Sequence, residues 1–588
     1  MAGYGSISAK NAISKLNNKK NKTVLVSTIA VAALLLTAVK IFSHNSDDTL
    51  PEYINECGRY SPIDLSFDKS YAKILEDEDY QLELVSKLQG AIRIPTEVYD
   101  TYGQPDLSVP LAEEPFYGKF AALHDFLEES FPLVHSTLKK EIVNGVGLVF
   151  TWAPKQTKGK KPLLLMAHQD VVPVNVDTLD RWTYPPFDGV YEPETGKIFG
   201  RGSSDTKPLI ISQLAAVELL IKDGYELQRP LVLAYGFDEE KSGNFGAQFI
   251  ARHLVERYGK NGIEVVLDEG GGVVELGDGK FLGSPAVAEK GYVDIEITLN
   301  TLGGHSSAPN HWPGKEMTGI SIISEVNYFI TENQFPVDID LGNPAVSTLQ
   351  CFEKYDLENP SIDSKLVKAV SKGSISGLED ALEGTDMKFI FKTTEALDVI
   401  KGGVKVNAMP EQVVNLVNHR INTKSSVKET LDHDLSVVLA TAEKYDLGVT
   451  LEWSNGTETS VLRDDTDNGG FIVKVLNPLE PVRVTPVDGI WDLIANTTAF
   501  VYTDKYFGDE SDIKVFFEGT ISTGNTDTKY YSKFEGVNDR IYRYGGGLVE
   551  GGKYHTVDEW STKRALVSST AFMYAFITNF NAHADSLV

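Results

Sequence analysis

Five places in the chain put His, Asp or Glu directly after a strand-like apolar run or a glycine-rich turn. They are His168 with Asp170, Asp205 in Gly202-Ser-Ser-Asp-Thr-Lys-Pro208, the pair Glu239-Glu240, Asp268 beside Glu269, and His555 in Glu550-Gly-Gly-Lys-Tyr-His-Thr556. Imidazole and carboxylate are the groups that ligate zinc-class ions and that move protons near neutral pH. The only cysteines are Cys57 and Cys351, which excludes a thiolate cluster and permits at most one disulfide, whose formation is left open. Any metal here is therefore held by His and carboxylates. Singly, each of these residues reads as a structural histidine or a solvated acid; in sequence order they read as one site.

The elements around them explain how such groups meet. Leu163-Leu-Leu-Met-Ala167, Leu231-Val-Leu-Ala-Tyr235 and Val265-Val-Leu267 are short apolar runs separated by amphipathic stretches such as Ile210 to Ile221. That alternation predicts buried strands with covering helices, an α/β mixed sheet flanked by helices. Each run is followed at once by polar residues, and ligands in such sheets bind beyond the carboxyl ends of the strands, so the groups are expected on one rim. Residues 291–300 instead alternate apolar and polar, which predicts an antiparallel sheet with one wet face in a second, inserted α+β domain.

The chain has 588 residues, of which 42% are hydrophobic, 10% aromatic and 23% charged, a composition that excludes a largely disordered protein. Its net charge of −28 argues against nucleic-acid binding, which needs clustered cations. Residues 1–46 hold six Lys and no acid; the remaining 542 residues carry 49 basic against 83 acidic side chains, a balance of −34. Thr23 to Val39 is a run of 17 uncharged, mostly apolar residues, about 25 Å of helix, preceded by Lys19, Lys20 and Lys22. The positive-inside rule then predicts a single-pass type II protein with a cytosolic tail (1–22), a signal anchor (23–42) and a polar stalk (43–64), the body lying beyond the membrane. The expected body is a catalytic domain in two parts, 65–290 and 456–588, around an inserted lid over 291–455. Sequons at Asn455 and Asn496 would then meet the glycosylation machinery, whereas the one at Asn21 would not.

The series Met166-Ala-His-Gln-Asp-Val-Val-Pro173, Gly200-Arg-Gly-Ser-Ser-Asp205, Asp238-Glu-Glu-Lys-Ser-Gly243, Leu267-Asp-Glu-Gly270 and Gly303-Gly-His-Ser-Ser-Ala-Pro309 resembles the M20 family of co-catalytic zinc peptidases and amidohydrolases, in particular its fungal vacuolar carboxypeptidase S group. The likeness runs over roughly residues 65–588. It implies two Zn2+ per subunit, with Asp205 bridging both, His168 and Asp268 completing one ion, and Glu240 and His555 the other. Glu269 is the alternative to Asp268, which is preferred, because a strand does not easily aim both neighbours at one ion. The likeness gives Glu239 as general base; Asp170, on the same side as His168 in an extended segment, would orient its imidazole. It further implies that His305 stabilises the reacting carbonyl oxygen and that Asn407 and Arg420 help bind a substrate carboxylate. Gly545 to Gly547 and Gly551-Gly552 admit two readings, a backbone approach to a carboxylate or ordinary turns.

The resemblance implies a carboxypeptidase that releases C-terminal amino acids from small peptides, located in the vacuole, with homodimerisation through the inserted domain. N-acyl amino acid hydrolysis uses the same site, because both reactions cleave an amide beside a carboxylate. A tethered, non-catalytic binding protein would require a missing ligand or base, and none is missing. The stretches 356–395 and 464–529 are long for the family, which leaves the pocket shape open.

Overall fold

The computed structural model describes residues 48–50, 57–155, 159–309, 311–312, 315–454, 458–509, 511–537 and 539–587. The expected tail and anchor, residues 1–42, lie outside these. Among the described residues no helix is long and apolar enough to cross a membrane.

A ten-stranded sheet forms the larger layer. Strands Lys139–Val143, Gly147–Trp152, Leu231–Gly236, Leu163–His168, Val265–Gly277, Ile541–Leu548, Ala286–Glu289 and Thr520–Ser522 lie side by side in that order. Lys280–Ser284 and Lys514–Phe517 pair beside it through Val265–Gly277. The strand Leu163–His168 runs parallel to both neighbours, and Ile541–Leu548 is parallel to Val265–Gly277, so their carboxyl ends share one rim. Every residue of Leu163–His168 and Leu231–Gly236 is buried. Alternation explains how such runs serve two faces: Leu163 and Leu165 join the core under the helices Lys207–Lys222 and Lys563–Leu587, while Leu164 and Met166 pack with Ala247, Ile250 and Leu254 of the helix Ala247–Tyr258.

A second, six-stranded sheet has the order Thr394–Gly402, Gln412–Ile421, Gly291–Thr301, Gly469–Leu479, Gly448–Trp453, Thr459–Arg463. Val293, Ile295, Ile297 and Leu299 bury one face against the helices Gly319–Glu332 and Val427–Tyr445. Its pairs are antiparallel except Gly448–Trp453 with Gly469–Leu479, which is parallel. The sheet keeps its strand up to Leu479, later than the expected return at 456. Strands Gly448–Trp453 and Thr459–Arg463, on either side of the expected boundary, pair antiparallel in this sheet.

The expected stalk is anchored to the body over its described part. Leu50 donates its amide to the Gly373 carbonyl, and Asp48 accepts from Ser374 and Ser376 at the start of the helix Ile375–Leu382. Tyr60 is buried and accepts a 2.6 Å hydrogen bond from the Trp491 indole. Cys57 forms a disulfide with Cys351, at the buried face of the helix Pro344–Tyr355, with the Cα atoms 6.1 Å apart. A few apolar anchors in a polar stretch fix it, and composition alone hides them.

Candidate metal centre

The parallel strands deliver their terminal residues to one place. His168 is the last residue of its strand, Glu239 and Glu240 form a tight turn directly after Leu231–Gly236, and Asp268 and Glu269 lie within Val265–Gly277. Asp205 precedes the helix Lys207–Lys222, and its peptide bond to Thr206 is cis. His555 follows the strand Ile541–Leu548 in a loop.

Asp205 stands between two histidines: Oδ1 is 3.1 Å from His168 Nε2, and Oδ2 is 3.1 Å from His555 Nε2. His168 Nε2 is also 3.4 Å from Glu269 Oε1, and His555 Nε2 is 3.1 Å from Glu240 Oε2. The donor atoms of His168, Glu239 and Glu269 lie within 4.8 Å of one another, as do those of His168, Asp205 and Glu240. Two imidazole–carboxylate pairs thus share one central carboxylate.

Asp268 does not join them. Consecutive strand residues point to opposite sides, and Asp268 takes its support from the Glu269 backbone, the Arg543 guanidinium and Thr526, while Glu269 meets His168. Of the pair, Glu269 is the one in contact with His168, while Oδ2 of Asp268, the preferred residue, is buried without a hydrogen-bond partner.

Asp170 holds the rim together. Its Oδ1 and Oδ2 accept the amides of Glu239 and Glu240 at 3.2 and 3.1 Å, and Oδ1 lies 3.3 Å from His168 Nδ1. Two further supports carried no sequence signal of their own. Buried Glu559 accepts the amides of Gly202, Ser204 and Asp205 and pairs with Arg201 at 2.6 Å, fixing the turn that presents Asp205. Gln169 donates to the carbonyls of Tyr235 and Gly236 and meets His124 Nε2 at 2.8 Å, locking two strand ends together.

Charge is crowded here. Burial, then the charge of Glu269, pushes the Glu239 carboxyl well above the usual carboxylate range, and burial pushes Glu269 up to about 8. Burial works against the charge on Asp205 also, but the hydrogen bonds from His168 and His555 prevail and hold it low. Hydrogen bonds to Asp205 and Glu240 raise His555 to about 10. Oε1 of Glu240 is buried with no hydrogen-bond partner. A surplus of carboxylates, an orphaned oxygen and two imidazoles aimed at one carboxylate fit a pair of divalent cations.

The residues expected to touch substrate sit on the smaller sheet's side. His305 is exposed in a two-residue strand paired with Ala408–Met409, its Nδ1 2.8 Å from Ser307 Oγ, and the Asn407 carbonyl accepts the Ser306 amide. His305 and Asn407 are thus neighbours. Arg420 lies elsewhere on that sheet, stacked 4.7 Å from the Tyr292 ring centre and donating to Asn525 Oδ1 at 2.9 Å. Among the described residues, no hydrogen bond or ion pair joins these three to the donor cluster. Asn455 lies outside the described residues. Asn496 sits within the helix Gly489–Tyr502, its side-chain oxygen accepts the Ser61 amide, and Thr498 of its sequon is fully buried.

The model of peptidase family M20/M25/M40 matches residues 164–579, the span that holds every donor above. The chain belongs to that family. Membership makes it a hydrolase of the metallopeptidase kind. Carboxypeptidase S of Saccharomyces cerevisiae is 37% identical over 554 residues, 91% of this chain and 90% of its own length. The N-fatty-acyl-amino acid synthase/hydrolase PM20D1 of Homo sapiens is 26% identical over 573 residues, 94% of this chain and 96% of its own. The crystal structure of an M20-family metallo-carboxypeptidase from Sulfolobus solfataricus covers 85% of this chain and 99% of its own, with a TM-score of 0.53 and 16% identity, a likeness of fold.

Proposed function

We propose that the chain is a two-zinc carboxypeptidase that releases C-terminal amino acids from small peptides. The observation that carries this reading is the division of the Asp205 carboxylate between His168 and His555, each of which has a second carboxylate, Glu269 or Glu240, at hand. Bound there, zinc would polarise the scissile carbonyl and acidify water. Glu239, enclosed beside His168 and Glu269 but outside the two imidazole–carboxylate pairs, is the base that takes the proton of the attacking water and returns it to the leaving amine. Asp170 orients His168 and the Glu239–Glu240 turn together. His305, Asn407 and Arg420 are assigned to the carbonyl oxygen and the substrate carboxylate on the family likeness.

N-acyl amino acid hydrolysis is the second reading, favoured by the human relative that matches along nearly the whole chain. Blocked dipeptides and N-acyl amino acids assayed side by side on the purified protein, with zinc counted in the same sample, separate the two. Faster turnover of the acyl substrates would overturn the peptide reading, and loss-free activity after complete removal of metal would overturn both.

The body is further proposed to lie in the lumen of the secretory pathway and vacuole, behind a type II anchor. The lysines before the apolar run support this, as does the Cys57–Cys351 disulfide, since such bonds persist in oxidising compartments. Protease added outside sealed vesicles should remove only the N-terminal tail. Dimerisation through the smaller sheet is proposed on the family likeness alone and is read by sedimentation.

A further inference from the structure

On the six-stranded sheet, one residue along the strand from Arg420, which bonds Asn525, a second group of metal-ligand side chains is closed in. Glu395 and His419 are cross-strand partners on Thr394–Gly402 and Gln412–Ile421, and Asp434 reaches them from the helix Val427–Tyr445. One donor atom from each lies within 4.8 Å of the others. His419 and Asp434 are both 0% exposed. Both carboxylate oxygens of Glu395, both ring nitrogens of His419 and Oδ2 of Asp434 are buried without a hydrogen-bond partner. His419 Nε2 stands 3.3 Å from Asp434 Oδ2, and the contact lacks the alignment of a hydrogen bond.

Buried polar atoms in folded proteins are almost always satisfied, so the unpartnered Glu395 carboxylate facing the His419–Asp434 contact, with one donor atom from each of the three residues drawn together, calls for a missing partner. We propose that Glu395, His419 and Asp434 hold a divalent cation of the zinc class, at a site separate from the catalytic cluster. One imidazole nitrogen and two carboxylates form a hard-to-borderline donor set, and their two negative charges match a dication. The surroundings fix the ligands as a metal site requires: His433 Nδ1 lies 3.0 Å from Asp434 Oδ1, leaving Oδ2 free to face the centre, and His433 Nε2 is anchored 2.7 Å from the Asn333 carbonyl. Phe335 stacks on His433 with ring centres 4.1 Å apart and shields that side. Thr394–Gly402 is the outermost strand, with its residues half-buried to exposed, and offers the way in. The ion ties this edge strand to its neighbour and to the helix behind them, a structural clamp on the strand that carries Asn418 and Arg420.

The test compares the full-length wild type with Glu395→Gln, each equilibrated with Zn2+ alone, freed of loose ion by gel filtration and analysed for zinc per chain. The variant should carry one ion fewer and hydrolyse peptide within about twofold of wild type. Because the readout is a difference between proteins that share the catalytic cluster, it stands or falls independently of the number of ions there. Equal counts in the two proteins overturn the proposal and leave an internal imidazole–carboxylate network. His419→Gln is expected to lose the same ion; being fully buried it is the riskier to fold, and Glu395→Gln at the sheet edge decides the matter without it.

Discussion

Glu239 differs from Asp205, Glu240 and Glu269 in making no ion pair with an imidazole. Asp205 faces two histidines, and Glu240 and Glu269 one each. Glu239→Gln keeps the shape and removes the proton acceptor, so kcat should fall by about 10²–10⁴-fold while zinc stays bound; more than about a tenth of wild-type turnover would rule out the assigned base. A second comparison addresses the neighbours on the Val265–Gly277 strand. Glu269→Ala should lose zinc and activity together, because it strips His168 of its partner carboxylate, whereas Asp268→Asn should keep both ions and show its cost in unfolding experiments. Zinc analysis of the two purified variants reads the contrast, and the reverse pattern would restore Asp268. Residue types and order made legible in sequence that His168, Asp205, Glu240 and His555 would be brought together. The choice between Asp268 and Glu269 was not legible, because it depends on which face of the strand meets His168, and that is set by register with neighbouring strands.

At the scale of elements, the site is held by contacts that leave no motif. The strands Leu163–His168 and Leu231–Gly236 were readable as unbroken apolar runs because both faces are covered. Their locking at the rim depends on Gln169 and His124, residues of ordinary type far apart in sequence. In the polar segment before residue 64, likewise, the few anchors Leu50, Cys57 and Tyr60 do not change the composition and leave no motif. His124 also makes stability depend on pH. Burial lowers its folded pKa to about 4, against the hydrogen bond to Gln169, from an ordinary value of 6.5. Between those values the unfolded chain binds a proton that the folded chain refuses, so this contribution is complete above about pH 6.5 and declines as pH falls towards 4. In denaturant titrations, the wild type should lose about 2 kcal/mol more than His124→Gln between pH 7.5 and pH 5. Parallel losses in the two proteins would show that the imidazole is not what resists protonation.

For the whole molecule, the disulfide joins two statements that the chain otherwise makes separately, the charge split along its sequence and the attachment of its N-terminal segment to the body. Cys57 and Cys351 are 294 residues apart, and their bond links the start of the described body to the helix Pro344–Tyr355. Both cysteines are buried in one cluster with Leu282, Phe352 and Phe516, so a reduced pair would be slow to react while folded. Denaturation before alkylation removes that protection and leaves redox state as the only variable. Protein taken from its native compartment, denatured with a thiol-blocking reagent present throughout, should therefore show no modified cysteine, and two once a reductant is included. A cytosolic body would give two in both cases, since cytosolic reductants keep such pairs open. Native disulfides of this kind contribute about 2–5 kcal/mol, so Cys57→Ser with Cys351→Ser should be less stable than wild type in denaturant titrations by an unfolding free energy in that range. Blocking of both thiols without reductant would remove the luminal assignment, whatever the N-terminal segment does.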